Sequence, residues 1–374
     1  MKKFYWIILS FFCVMSCYAS SMTPATTLPA DKKATPETIA LYNNLKSLMS
    51  KGIMFGHQDD LLYGIGWKYD DGRSDVHSIT GDYAAVHGYE IGHIELGRDV
   101  SLDSVHFDVI RARIVESHKR NGINTISWHG DNPLTGGSSW DPSDNQTVKS
   151  TLPGGEKHEL YMTWLDRLAD FLLSLKDENG TLVPVIFRPY HEHMGSWFWW
   201  GKDICTVEEY KAIWKMTVEY LRDTKNVHNL LYAYSNSGVA TEAEYMERYP
   251  GDEFIDMLGF DTYQYGGIEG KEHFMQTLRT NLDIITKVGK ERNKIPALTE
   301  CGFEKVEDPT WFTRTLYEAI KPYKISYVLV WRNAYEKPDH YYAPYPGHPS
   351  EKDFLRFKAS PDILFEKDLP DMYK

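Results

Sequence analysis

Two glutamates sit where a sequence could do chemistry. Glu192 lies in His191-Glu192-His193, directly after the apolar run Val183-Pro-Val-Ile-Phe-Arg-Pro-Tyr190, and Glu300 closes the run Ile295-Pro-Ala-Leu-Thr. Two carboxyl groups delivered by separate segments suit the hydrolysis of a glycosidic bond. One, protonated, gives its proton to the departing oxygen; the other, ionised, meets the positive charge that develops at the anomeric carbon. The pair must differ in protonation at one pH. Partial burial and an ionised neighbour both raise the acid of such a pair, and the two titrate as a coupled system. Solvation or an ion pair would explain either glutamate alone equally well. The companion segments weigh against that reading, because other apolar runs deliver Trp128-His129-Gly130-Asp131-Asn132, Asp261-Thr262-Tyr263 and Trp331-Arg332-Asn333.

Two rival chemistries use the same residues. His191 and His193 have a ligand-like spacing, and His57, His87, His93 and His129 add nitrogen donors of the kind that bind zinc. The chain lacks an H-E-x-x-H pattern and a cysteine set, so no metal and no cofactor is expected. The second rival is a carbohydrate-binding protein without catalysis, which the 11 Trp and 25 Tyr would serve by offering flat faces to sugar rings. The paired glutamates favour an enzyme, and release of reducing ends separates the two readings. A formal net charge of -12 disfavours phosphate-backbone partners, so no nucleic-acid partner is expected. It says nothing against a neutral polysaccharide.

Positioning such groups requires a frame. Eight short runs read as strands: Ile53–His57, Tyr83–Tyr89, Ile123–His129, Val183–Tyr190, Leu230–Ser235, Met257–Tyr263, Ile295–Glu300 and Ile325–Trp331. Between them, apolar residues recur at helical spacing. Examples are Val105, Val109, Ile110 and Ile114, stopped by Asn121-Gly122, and Trp311, Phe312, Leu316 and Ile320, opened by Asp308-Pro309. The helices after the first and fifth strands are weakly patterned. Alternating strands and helices predict an α/β protein, a single (β/α)8 TIM barrel whose chemistry lies where strands end and βα-loops begin. A doubly wound open sheet is the alternative, and no glycine-rich phosphate loop follows the first strand to favour it.

Residues 1–19 read as an export signal: Lys2 and Lys3, then an apolar run from Phe4 to Val14. Val14-Met15-Ser16-Cys17 resembles a lipobox, with lipid attached at Cys17; cleavage after Ala19 is the competing route. Residues 20–36 read as a flexible tether and 37–374 as one catalytic domain. The expected location is periplasmic, or anchored to the outer membrane of a Gram-negative bacterium, and the expected state a monomer. Cys205 and Cys301 could oxidise in that setting, provided that their Cα atoms lie close.

Four segments resemble glycoside hydrolase family 26. They are Arg188-Pro-Tyr-His-Glu-His-Met-Gly-Ser-Trp-Phe-Trp-Trp-Gly201, Ser127-Trp-His-Gly-Asp-Asn-Pro-Leu-Thr-Gly-Gly137, Leu298-Thr-Glu-Cys-Gly302 and Phe55-Gly-His-Gln-Asp59. The resemblance implies a retaining (β/α)8 glycosidase with Glu192 as acid/base and Glu300 as nucleophile. It implies that Tyr263 orients the nucleophile, and that His191 stands near the nucleophile or the sugar 2-hydroxyl where many relatives carry Asn. His129, Trp197, Asp261, Trp331 and Arg332 would line the sugar subsites. Most members of that family cut β-1,4-mannan, glucomannan or galactomannan; mixed-linkage β-glucan and β-1,3-xylan are the alternatives. Whether cleavage is endo or exo depends on loops such as Tyr335–Pro349, which read equally well as solvated chain or as a cleft wall.

Overall fold

Eight parallel strands form a closed ring in a computed structural model that describes Met1 and residues 27–374. In chain order they are β1 (Ile53–Gln58), β2 (Val86–Glu90), β3 (Ile123–Trp128), β4 (Val185–Pro189), β5 (Leu230–Asn236), β6 (Met257–Tyr263), β7 (Ile295–Gly302) and β8 (Tyr327–Val330). Each pairs with the next, and β8 closes on β1 with Met54 opposite Tyr327 and His57 opposite Val330. The ring is the expected (β/α)8 barrel, and every expected strand is present within a few residues. The export signal and Cys17 lie outside the described residues.

Strand periodicity sorts the core into two bodies. Along β5, Leu230, Tyr232 and Tyr234 face the outer core, and Leu231 and Ala233 face the inner one. The inner core takes side chains from all eight strands, and helix Pro36–Leu48 stops its lower end with Leu41, Tyr42, Leu45 and Leu48, joined by Met372 and Tyr373. The packed chain starts earlier than the boundary at residue 37. Ala30 N–H donates to Asp256 (2.6 Å), Asp31 meets His228 Nδ1 (2.7 Å), and Thr35 caps the helix through Thr38 N–H (3.2 Å). Residues 30–36 therefore belong to the floor of the barrel, because Asp256 and His228 supply fixed partners.

Helices Phe107–Lys119, His158–Ser174, Val207–Glu219 and Lys271–Arg292 cover the outside where the spacing predicts them. Those after β1 and β5 are short, Asp75–Thr80 and Glu242–Glu247, which is why their pattern is weak. The predicted helix after β7 is π-helical over Phe312–Tyr317 before Glu318–Ile320 turns α. There Asp353 takes the backbone N–H of Thr313 (2.9 Å), a bond outside the helical ladder.

Candidate active site

Two local distortions bring the glutamates to the barrel mouth. In β7, Ala297 faces the inner core and Leu298 the outer one. Strict alternation would then send Thr299 inward and Glu300 outward. A register shift intervenes: Phe260 pairs with Leu298 and Asp261 with Glu300, leaving Thr299 as an extra residue. Thr299 Oγ1 still donates inward to Asp261 (2.8 Å), Cys301 returns to the outer core, and Glu300 turns into the cleft. Bulges commonly re-aim a side chain in this way beside an active site. After β4, the chain takes positive φ at Tyr190 (49°) and Glu192 (52°), which bulky residues seldom adopt. The Glu192 N–H is fastened to Ser235 O (3.0 Å).

One guanidinium divides the charge. Arg188, buried on β4, donates to Asp261 (2.7 Å) and to Glu300 Oε2 (2.6 Å). Tyr263 OH donates to Glu300 Oε1. Both oxygens of Glu300 thus accept, an arrangement that suits a carboxylate. Glu192 forms no ion pair among the described residues; Trp197 Nε1 donates to its Oε2 (2.9 Å). Burial, followed by the charges of Glu300 and Asp261, holds Glu192 well above the usual carboxylate range. Glu192 therefore keeps its proton beside an anchored Glu300, the asymmetry that acid-assisted glycoside hydrolysis needs.

Eight of the nine predicted site residues line one cleft of about 390 Å³: His129, His191, Glu192, Trp197, Asp261, Tyr263, Glu300 and Trp331. The ninth, Arg332, stands in an adjoining cavity of about 470 Å³ that shares His129, Trp140 and Trp331 with the first. There it contacts Tyr63 OH (3.2 Å), Glu336 (3.0 Å) and Asp103 (3.3 Å). The hydrogen-bond partner of His191 is His129, Nε2 to Nε2 at 3.0 Å, while His129 Nδ1 meets Glu90 (2.7 Å). Burial, with Arg188 and His129 nearby, lowers His191 well below the usual imidazole range, so it is neutral. His193 does not converge with His191 on a common ligand. It packs between Tyr210 and Tyr234, ring centroids 4.5 and 4.7 Å away. Among the described residues, Cys205 and Cys301 are both buried and form no disulfide.

Sequence reasoning passed over several cleft residues. Glu90 ends β2 one residue beyond the predicted strand, so the strand-end rule would have found it with a better boundary. Arg188 carried a signal as a lone charge inside an apolar strand. Trp140, which stacks on His129 at 4.8 Å, comes from a loop and carried none.

Known proteins resemble this chain in sequence and fold. A GH26 β-mannanase from Bacteroides ovatus is 52% identical and superposes with a TM-score of 0.89, covering 91% of this chain and 98% of that one. GH26C from Muricauda sp. is 34% identical, with a TM-score of 0.84 and coverage of 92% and 96%. The mannan endo-1,4-beta-mannosidase of Bifidobacterium adolescentis is 33% identical over 361 residues, or 91% of this chain; the chain spans only 36% of that relative's own length. A Bacillus subtilis protein of the same name is 27% identical over 271 residues, covering 69% of this chain and 72% of its own. Residues 30–331 match glycosyl hydrolase family 26. Sequence, barrel and paired carboxyl groups lead to one placement: the chain belongs to glycosyl hydrolase family 26.

Proposed function

We propose that the chain hydrolyses β-1,4-mannosidic bonds within mannan, glucomannan or galactomannan by double displacement. The observation that carries this reading is the unlike setting of two carboxyl groups in one cleft. Glu300 is held by Arg188 and Tyr263, and Glu192, buried beside two carboxylates and bonded by Trp197, keeps its proton. Glu300 attacks the anomeric carbon as the bond from that carbon to the glycosidic oxygen breaks, and Glu192 passes its proton to the departing oxygen. Glu192, now ionised, takes a proton from water while the water oxygen displaces Glu300. The released sugar keeps the β configuration. Neutral His191 can hydrogen-bond a sugar hydroxyl without adding charge, His129 lines the same cleft, and the exposed rings of Trp197 and Trp140 offer faces to sugars.

Support for mannan comes from the names of the relatives, and two adjoining cavities that share His129, Trp140 and Trp331 favour endo action. The test is the product profile on mannan, galactomannan and mixed-linkage glucan, with the anomeric configuration followed by NMR as hydrolysis proceeds. Internal cleavage of mannan with β products first is expected; α products, or a preference for mixed-linkage glucan, would overturn the reading. The chain is further proposed to act after export, as a monomer, in the periplasm or anchored at the outer membrane. Fractionation of cells carrying the Cys17→Ser chain tests the anchor, which predicts release into the soluble fraction.

A further inference from the structure

A buried cation lies behind the acid/base loop with no carboxylate to balance it. Arg248 follows helix Glu242–Glu247, is 1% exposed, and forms no ion pair among the described residues. Its chain neighbour Glu247 pairs elsewhere, with Lys202 (3.8 Å). A buried charge without a partner is costly, so its acceptors deserve scrutiny. They belong to the segment that follows Glu192: four backbone carbonyls and, from Nη1 at 3.7 Å, Cys205 Sγ. Nη1 reaches His193 O (3.4 Å) and Trp200 O (3.1 Å), and Nη2 reaches Lys202 O (2.8 Å) and Cys205 O (2.5 Å). Tyr210 lies under the guanidinium, its ring centroid 5.2 Å away.

Those four carbonyls fall on the two stems of one loop. His193 is on the outgoing stem, and Trp200, Lys202 and Cys205 are on the returning one. The tip carries Trp197, whose indole N–H holds Glu192 at 2.9 Å. The loop is under local strain, since it starts from positive φ at Tyr190 and Glu192. A planar fork holds all four carbonyls of the two stems at once through fixed N–H groups; a lysine ammonium is a point charge that cannot reach all four.

We infer that Arg248 is a positioning residue for the reaction: by tying the two stems together it fixes Trp197, and through Trp197 the carboxyl of Glu192. Arg248 lines neither cavity of the cleft. The inference rests on the reading of Glu192 as the acid, and the test separates the two.

The test compares kcat/KM on mannan, whose leaving group needs protonation, with kcat/KM on a 2,4-dinitrophenyl β-mannobioside, whose leaving group does not. Both are measured on the same preparation of full-length protein, so the ratio is independent of the fraction folded. Glu192→Ala is the reference and should lower the mannan-to-aryl ratio by roughly 10²–10⁴-fold. A ratio unmoved in that variant would overturn the reading of Glu192. In Arg248→Lys, mannan should lose about 10–100-fold, as expected for a misplaced catalytic group, while the aryl substrate changes less than about twofold. Arg248→Met should lower the ratio further, and Arg248→Lys carries the test if the Met variant does not fold. If Glu192→Ala moves the ratio and Arg248→Lys leaves it at the parent value, whether by equal losses on both substrates or by none, the positioning role is overturned.

Discussion

Arg188 serves two of the three carboxyl groups at the mouth and leaves Glu192 with an indole N–H. The charge of Glu300 is then part of what keeps Glu192 protonated, and removing that charge should be visible on Glu192 itself. In Glu300→Gln, hydrolysis is lost, and the titration midpoint of Glu192, followed by carboxyl carbon NMR, moves down towards the usual carboxylate range. A midpoint that stays put would mean that burial and the charge of Asp261 hold it without help from Glu300. In the parent enzyme the sign follows from the same setting. With Glu192 as the proposed acid, activity needs it protonated, so kcat/KM should fall as pH rises through its raised pKa. Tyr263→Phe removes one of the two donors to Glu300. A hydrogen bond to a charged group contributes about 1.5–3 kcal/mol, so kcat on mannan should fall by about 10–150-fold. Much of this site was legible, because Glu192, Glu300, Asp261, Tyr263 and Trp331 each fall at the end of an apolar run. The Thr299 bulge was not, since register between strands leaves no mark in one sequence. The placement of Arg332 beside Asp103 and Glu336 was hidden for the same reason: it depends on where a long loop folds back.

His87 shows how one element is locked to another. It stands on β2, fully buried, with Nδ1 on Asp60 (2.7 Å) and Nε2 on Glu366 (3.1 Å), which ties the segment after β1 and the C-terminal segment to the barrel. Burial lowers this imidazole, but the two carboxylates outweigh it and raise it to about 9. Its folded pKa lies above the unfolded value, so the charge stabilises fully below about pH 6.5. That contribution, on the order of 3 kcal/mol, is lost as pH rises through about 9. Denaturant midpoints measured from pH 6 to pH 10 should fall more steeply for the parent than for His87→Gln; parallel curves would contradict the charged state. The strands themselves were readable because each is a short apolar run between breakers, and the long helices because their faces repeat. Helix Pro36–Leu48 was not assigned. Its neighbours, Thr-, Ala- and Pro-rich, read as tether, and only the partners Asp256 and His228 make the preceding residues part of the fold.

At the scale of the whole barrel, stability and chemistry occupy opposite ends. The inner core is stopped at the floor by Leu41, Leu45 and Leu48 of helix Pro36–Leu48, whereas the cleft is built from the strand ends at the mouth. Between Leu45 and the carboxyl groups lie close-packed side chains such as Met54, Ile186 and Leu231. Leu45→Ala opens a cavity that such packing can only partly refill, at a cost of about 2–5 kcal/mol. The expected outcome is a lower denaturant midpoint at unchanged slope, with kcat/KM on mannan within about twofold of the parent. A second substitution at the mouth, Tyr263→Phe, should do the reverse, and the double variant should show both effects added, because the sites share no partner. If Leu45→Ala slowed hydrolysis as much as Tyr263→Phe does, the floor and the mouth would be coupled through the inner core, and the division between a stabilising end and a reactive end would be wrong for this barrel.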